Sequence, residues 1–314
     1  MSRLDSEEVL VHTERPEYIR NMCLVGDSGH LLDALASREV FCRRHEDYRY
    51  SDRCCDDRER IPVHCPYMVL RYTPNTHDDY FMNLVPLSDC TPDAMSSLLI
   101  TDGALLVVDA IKGLDSRLER LLPHVLQEYN TPVLFIDNFD KLVTEAPDGE
   151  AVYQRISQVL ASLNRMIAVF GRTDNSDLLL DPTKGNVAFG CSTWGFTLGN
   201  FASIYSAQLG VEREKLLPRL WGDHYYDKEN RLWKTENSAA TPSKRSFVQF
   251  IVEPIIKLTT ALVNNEKEVV KDMLEKLSLK LSREEEELSP KQLLRSVMGR
   301  WLNTADAVLS MAAT

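Results

Sequence analysis

The sequence has no long hydrophobic run. Its most apolar stretch, Leu98 to Ile111, is interrupted by Asp102 and Asp109, whereas a membrane-spanning helix needs about 20 mostly apolar residues. The first segment, MSRLDSEEVLVHTERPEYIR, has no apolar core, so no secretory leader is expected. Cysteine is odd in number at seven; without an export signal these read as reduced thiols of a cytoplasmic chain, not as a disulfide framework. Positive charge is short. Thirty-six Lys and Arg stand against 47 Asp and Glu, a net charge of −11, which repels phosphate and excludes bulk nucleic-acid binding through the whole surface. A sequence-specific DNA partner is not expected, and any RNA contact has to be local. The histidines at 12, 30, 45, 64, 77, 124 and 224 have no spacing that suggests a His-Glu-x-x-His helix or a catalytic triad. There is no internal repeat and no long low-complexity segment.

What is present is an ordinary globular mix: 44% hydrophobic and 26% charged over 314 residues, enough chain for one large domain or two. Short apolar runs at Asn21–Gly26, Tyr67–Tyr72, Tyr80–Val85, Ala104–Asp109 and Pro132–Asp137 predict strands, several with no polar face, as strands covered on both sides read. Leu118, Leu121, Leu122, Val125 and Leu126 recur at helical spacing within Leu114–Tyr129. Strand, helix and strand in this order form a βαβ unit, and a parallel sheet follows. A helix is predicted from about Gly149 to Ala168, a loop over Gly171–Asp177 and a strand at Asn186–Cys191. Beyond Phe196 aromatic residues sit among charges. A loop at Glu236–Lys244, helices at Phe247–Val263 and Glu266–Leu281, and a solvated linker at Ser282–Leu288 come next. Ser289-Pro290 then opens a closing helix as N-cap and first-turn proline.

In a parallel α/β sheet, ligands bind at the carboxyl ends of strands. The first strand ends in Gly26-Asp27-Ser28-Gly29-His30, and helix-like Leu31–Ser37 follows. A strand, a glycine-containing turn and a helix N-terminus make a common phosphate cradle. A phosphate loop requires G-x-x-x-x-G-K-[ST], however, and neither the Lys nor the hydroxyl is here. On spacing alone a plain βα turn is the favoured reading.

Several stretches, in order and spacing, carry a family resemblance: Ile19-Arg20-Asn21-Met22, Thr101-Asp102-Gly103-Ala104-Leu105 with Val107-Val108-Asp109, Pro132-Val133-Leu134, Trp194-Gly195-Phe196-Thr197-Leu198, Leu220-Trp221-Gly222-Asp223 with Tyr226-Asp227, Asp272 to Leu281, and Val297-Met298 with Arg300-Trp301-Leu302. Together they resemble the GTP-binding domain of eukaryotic and archaeal elongation factor 2, a translational GTPase. The resemblance covers nearly the whole chain from about Tyr18. It implies a Ras-like P-loop NTPase G domain, α/β with a mostly parallel sheet, over 18–196 and 287–314. It also implies a small α/β insert (a G'-like subdomain) over 197–286 and an N-terminal extension over 1–17. GTP or GDP with Mg²⁺ are the family's ligands. The ribosome's factor-binding centre, or the partners of elongation factors, are the implied partners, with no membrane.

The departures from the family fall on the ligand-bearing loops. Gly26-Asp27-Ser28-Gly29-His30 runs straight into Leu31-Leu32 without Gly-Lys-Ser/Thr. Val63, within Glu59–Val63, stands where the first switch needs a threonine. Val85-Pro86-Leu87-Ser88-Asp89 replaces Asp-x-Pro-Gly-His, so the water-positioning His is missing. The guanine-reading Asn-Lys-x-Asp is Asp137-Asn138-Phe139-Asp140, in which only Asp140 keeps its role, and the last motif survives loosely as Cys191-Ser192-Thr193. Without Lys and metal to neutralise a triphosphate, and with Asp27 and Asp89 near the phosphate position, a pseudo-GTPase with impaired binding and hydrolysis is expected, with no catalytic residue and no metal site assigned. The alternatives are a non-enzymatic module that mimics the translocase G domain to bind the ribosome or its factors, and a decaying gene copy. The chain stops at Thr314, before the domains that carry the family's decoding-site tip, so no translocation by this chain alone is expected.

Three further features stay open. Cys42, His45, Cys54, Cys55, His64 and Cys65 are zinc-ligand types without a standard finger spacing, so an irregular loop with reduced thiols is favoured. The arginines from Arg38 to Arg60, interleaved with Tyr48 and Tyr50, suit either RNA phosphates or a mixed solvated loop. The 266–281 helix either docks a ribosomal protein or covers its own domain.

Overall fold

The computed structural model describes residues 15–27, 29–36, 68–72, 80–87, 92–128, 131–171, 178–227, 230–236, 244–277, 279–282, 285 and 288–313. The run Glu59–Val63, the 42–65 cysteine and histidine cluster, the 38–60 arginine run, Ser28 and Asp89 lie outside these residues. So do 172–177 and 237–243, within the two loops expected from composition.

The sheet strands are β1 (Ile19–Gly26), β2 (Met68–Tyr72), β3 (Tyr80–Leu87), β4 (Gly103–Asp109), β5 (Thr131–Asp137), β6 (Val187–Gly190) and β7 (Gly195–Thr197). They form one seven-stranded sheet in the order β2-β3-β1-β4-β5-β6-β7. The five strands from β3 to β6 run parallel; β2 and β7 are antiparallel at the two edges. Helices α1 (Gly29–Ala36), α2 (Pro92–Leu98), α3 (Ser116–Gln127), α4 (Phe139–Glu145) and α5 (Gly149–Phe170) alternate with the strands. The α/β class and the mostly parallel sheet are thus as expected.

Both faces of the central strands are apolar because both are covered. Met22, Leu24, Leu105, Val107, Val133 and Phe135 point to one face and pack with α1 and a C-terminal helix. Cys23, Val25, Ala104, Leu106, Val108, Leu134 and Ile136 point to the other and pack with α3 and α5. β3 extends past the expected Val85 through Pro86, which pairs with Leu24 of β1. β2 pairs with β3 only as far as Leu84, so among the described residues the proline interrupts no ladder on that edge.

The 197–286 region holds α6 (Leu198–Leu209), α7 (Arg213–Leu216), a hairpin of β8 (Tyr225–Asp227) and β9 (Leu232–Lys234), α8 (Glu253–Val263) and α9 (Lys267–Lys276). It is α/β, but Phe201, Leu220, Phe247, Ile255 and Leu258 belong to the same buried cluster as Cys23 and Val108 of the sheet. Aromatic contacts cross the boundary: Trp221 lies 6.3 Å from Phe189 and 4.8 Å from Tyr153 between ring centroids. Arg245 fastens the same junction. Its guanidinium stacks 4.1 Å over the Tyr153 ring, pairs with Glu150 and Asp223, and donates to the Gly222 carbonyl.

Three helical expectations shift. The single helix expected at Phe247–Val263 is a π-helical turn, Val248–Val252, running into α8. Pro254, near the start of α8, has no N–H to donate back to residue 250, and the wider turn accommodates it. α9 ends at Lys276, short of Leu281. The closing helix is two helices, α10 (Pro290–Trp301) and α11 (Thr304–Ala313). Asn303 divides them by accepting the Asp306 N–H at 3.0 Å on its side-chain oxygen, as an N-cap does. α11 then turns onto the opposite sheet face, where Ala305, Val308 and Leu309 are buried.

Candidate functional site

The parallel strands deliver β1, β4 and β5 to a common carboxyl edge. β1 lies between β3 and β4, so the chain leaves β1 toward one side and returns past it, which makes the β1/β4 boundary a topological switch point. At this edge β1 ends in Gly26 with φ +122°. A Cβ there would stand 2.2 Å from the Val107 carbonyl oxygen of β4, so only glycine fits the turn. Asp27 follows, exposed, and α1 begins at Gly29 with His30 in its first turn. The expected strand and the helix that follows it are therefore present.

β4 and β5 end in register on Asp109 and Asp137. Asp109 Oδ1 accepts the backbone N–H groups of Ile111 and Lys112, each at 2.8 Å. Its Oδ2 accepts from the side-chain amide of Asn138 at 2.8 Å. Asn138 has left-handed backbone, φ 57° and ψ 30°, a conformation that costs an L-residue roughly 1–2 kcal/mol and that asparagine tolerates best. Its N–H donates to Asp137 Oδ1 at 2.7 Å. The Ala110 N–H donates to the Asp137 carbonyl at 2.8 Å, and Arg155 of α5 donates to the Ala110 and Ile111 carbonyls. Asp137 is buried.

Phe139 anchors the next turn. It is fully buried, edge-on to Trp194 and Phe196 at 6.0 and 5.4 Å. That contact brings the Asp137–Asp140 turn against the Cys191–Thr193 loop. The Cys191 thiol lies 3.3 Å from the Thr193 hydroxyl. Burial pushes its pKa up, and the charge of Asp140 adds to that rise. Thr304 of α11 donates to the Cys191 carbonyl at 3.0 Å, while Ser192 is exposed. Oδ1 of Asp140 is buried and has no hydrogen-bond partner.

Of the residues expected at a nucleotide site, then, Asp137, Asn138, Asp140, Cys191 and Thr193 are brought together. Gly26 and Asp27 are two strands away, about 10 Å at sheet spacing, across β4. Asp109 and Arg155 were not among the residues expected at the site. The available signal was an Asp ending an apolar strand immediately before Ala-Ile-Lys-Gly, where a carboxylate can cap the turn.

The carboxylates of Asp109 and Asp137 already accept from protein N–H groups, and Asp27, after β1, is exposed. Among the described residues no group of three or more His, Cys, Asp or Glu side chains is disposed to hold a metal ion. No protein-family model matches the chain. Among the described residues no helix is long and apolar enough to cross a membrane.

Proposed function

We propose that the chain is a pseudo-GTPase module of the elongation factor 2 kind. In this reading a Ras-like G-domain scaffold with a G'-like insert serves translation elongation by docking at the ribosome's factor-binding centre, without tight binding or hydrolysis of GTP. One observation carries the reading. Asp140 keeps a buried, unsatisfied oxygen at the β5 end, where the family reads guanine. The neighbouring position, a lysine in the family, is Asn138 and is turned away to Asp109. The strand order, with an antiparallel β2 at the edge, supports the Ras-like scaffold. Leaving the Asp140 oxygen without a partner costs about 1–3 kcal/mol of desolvation.

Isothermal titration with GTP and GDP, with and without Mg²⁺, tests the nucleotide half. The expected result is weak, Mg²⁺-independent binding at most, and tight Mg²⁺-dependent GTP binding would refute it. Sedimentation with purified ribosomes tests the other half: the protein should pellet with them, and failure to do so removes the ribosomal role.

A further inference from the structure

The Asn138–Asp109 contact does more than record a lost lysine. It joins two loops that the chain connects only through α3 and β5: the turn after β4 and the turn after β5. Each side is fastened independently. Both oxygens of Asp109 are occupied, one by the N–H groups of Ile111 and Lys112 and the other by the Asn138 amide. On the far side Arg155 holds the Ala110 and Ile111 carbonyls. Gly113, at φ +84°, closes the turn with the Arg155 guanidinium 3.2 Å from where a Cβ would lie. The left-handed backbone at Asn138 is what aims its short amide at Asp109.

We propose that this hydrogen bond is a built-in clamp. It holds the β4–α3 and β5–α4 loops in one arrangement with no ligand, so this edge of the domain presents a constant face whether or not guanine nucleotide is supplied. The clamp itself stands on the geometry above; its indifference to nucleotide rests on the pseudo-GTPase reading.

Hydrogen–deuterium exchange of the full chain separates the two. Asn138→Gly keeps the left-handed backbone and removes the amide, and Asn138→Leu removes the donor without adding glycine's freedom. In nucleotide-free protein, both variants should speed exchange at residues 110–113 and 139–142 by about tenfold, the factor for one hydrogen bond to a charged group. α6 and α10 should be unchanged. In wild type, millimolar GTP with Mg²⁺ should leave the same segments as they were. Unchanged exchange at 110–113 in both variants would overturn the clamp. GTP-induced protection of the wild-type loops would overturn the pseudo-GTPase reading and the indifference to nucleotide, with the nucleotide-free comparison still judging the clamp.

Discussion

Replacing Gly26 by alanine is the sharpest test of how β1 meets β4. The new Cβ would sit 2.2 Å from the Val107 carbonyl oxygen and 3.1 Å from its carbonyl carbon, both backbone atoms. It therefore cannot be accommodated by a side-chain rotation. Three terms add. A non-glycine residue held at φ +122° costs on the order of 1–3 kcal/mol. Forcing a methyl into packed structure costs about 1–3 kcal/mol. Separating the last β1–β4 pair, Gly26 with Val107, loses one ladder hydrogen bond, about 1 kcal/mol. The sum is about 5 kcal/mol. With an unfolding entropy of ~2.1 cal/mol/K per residue over 314 residues, that corresponds to a fall in Tm of about 8 °C. Gly210 provides the control, because it also has positive φ, +64°, but nothing lies within 4 Å of its Cβ position. Gly210→Ala should incur only the conformational term, about 1 kcal/mol or roughly 1–2 °C. Thermal melts followed by circular dichroism compare the two. If Gly26→Ala falls no further than Gly210→Ala, the contact with Val107 does not restrict the turn and the reasoning fails.

Three other outcomes follow from the same structure. Burial pushes the Cys23 thiol from its ordinary value of 9.0 up to about 12. Because its folded pKa is the higher one, the stability it contributes is complete below about 9 and is lost as pH rises toward 12. Denaturant midpoints measured across that range should fall more steeply for wild type than for Cys23→Ala. Glu285 is held down to about 2 by the Ser282 N–H, the Ser296 hydroxyl and Arg300. Its contribution is present above about 4.5 and is lost as pH falls toward 2, so Glu285→Gln should flatten the acid limb of the stability curve. Rebuilding the guanine reader with Asp137→Asn and Asn138→Lys should raise GDP affinity at least tenfold, about 1.4 kcal/mol, by titration calorimetry. Adding Asp140→Asn should abolish the gain; a gain that survives would place the base elsewhere.

The strands were legible because their physics is local. Met22 and Leu24 against Cys23 and Val25 show the period of two with both sides apolar, and that pattern is visible without a fold. The order of the strands was not legible in this way, since β1 reaches its place between β3 and β4 through pairings 60 or more residues apart. The split between α10 and α11 was hidden for the opposite reason. Val297, Met298, Leu302, Ala305 and Val308 continue an apolar pattern across the break, although the two helices bury it on opposite faces of the sheet. Only the capping oxygen of Asn303 marks the division.

At the site, motif reading treats Asn138 as an absence: the lysine that should cover a base is not there. The geometry gives the substitution a positive role that a linear motif cannot express, because the partner, Asp109, is 29 residues away. This bears on the idea of a decaying copy. Random loss removes one partner of an interaction and strands the other, and each stranded buried group costs about 1–3 kcal/mol. Here Asn138 sits in a complete network instead: two Asp109 oxygens, three donors and an arginine behind the turn. The orphan that remains, Asp140 Oδ1, sits one turn further on, beside the Cys191–Thr193 loop. The edge of the sheet is thus divided. The half nearer β4 is self-contained structure, while the half nearer β6 holds a buried carboxylate oxygen without a partner. On the pseudo-GTPase reading proposed above, that pattern is what a fold retained for its shape, with its ligand chemistry converted to internal support, leaves behind.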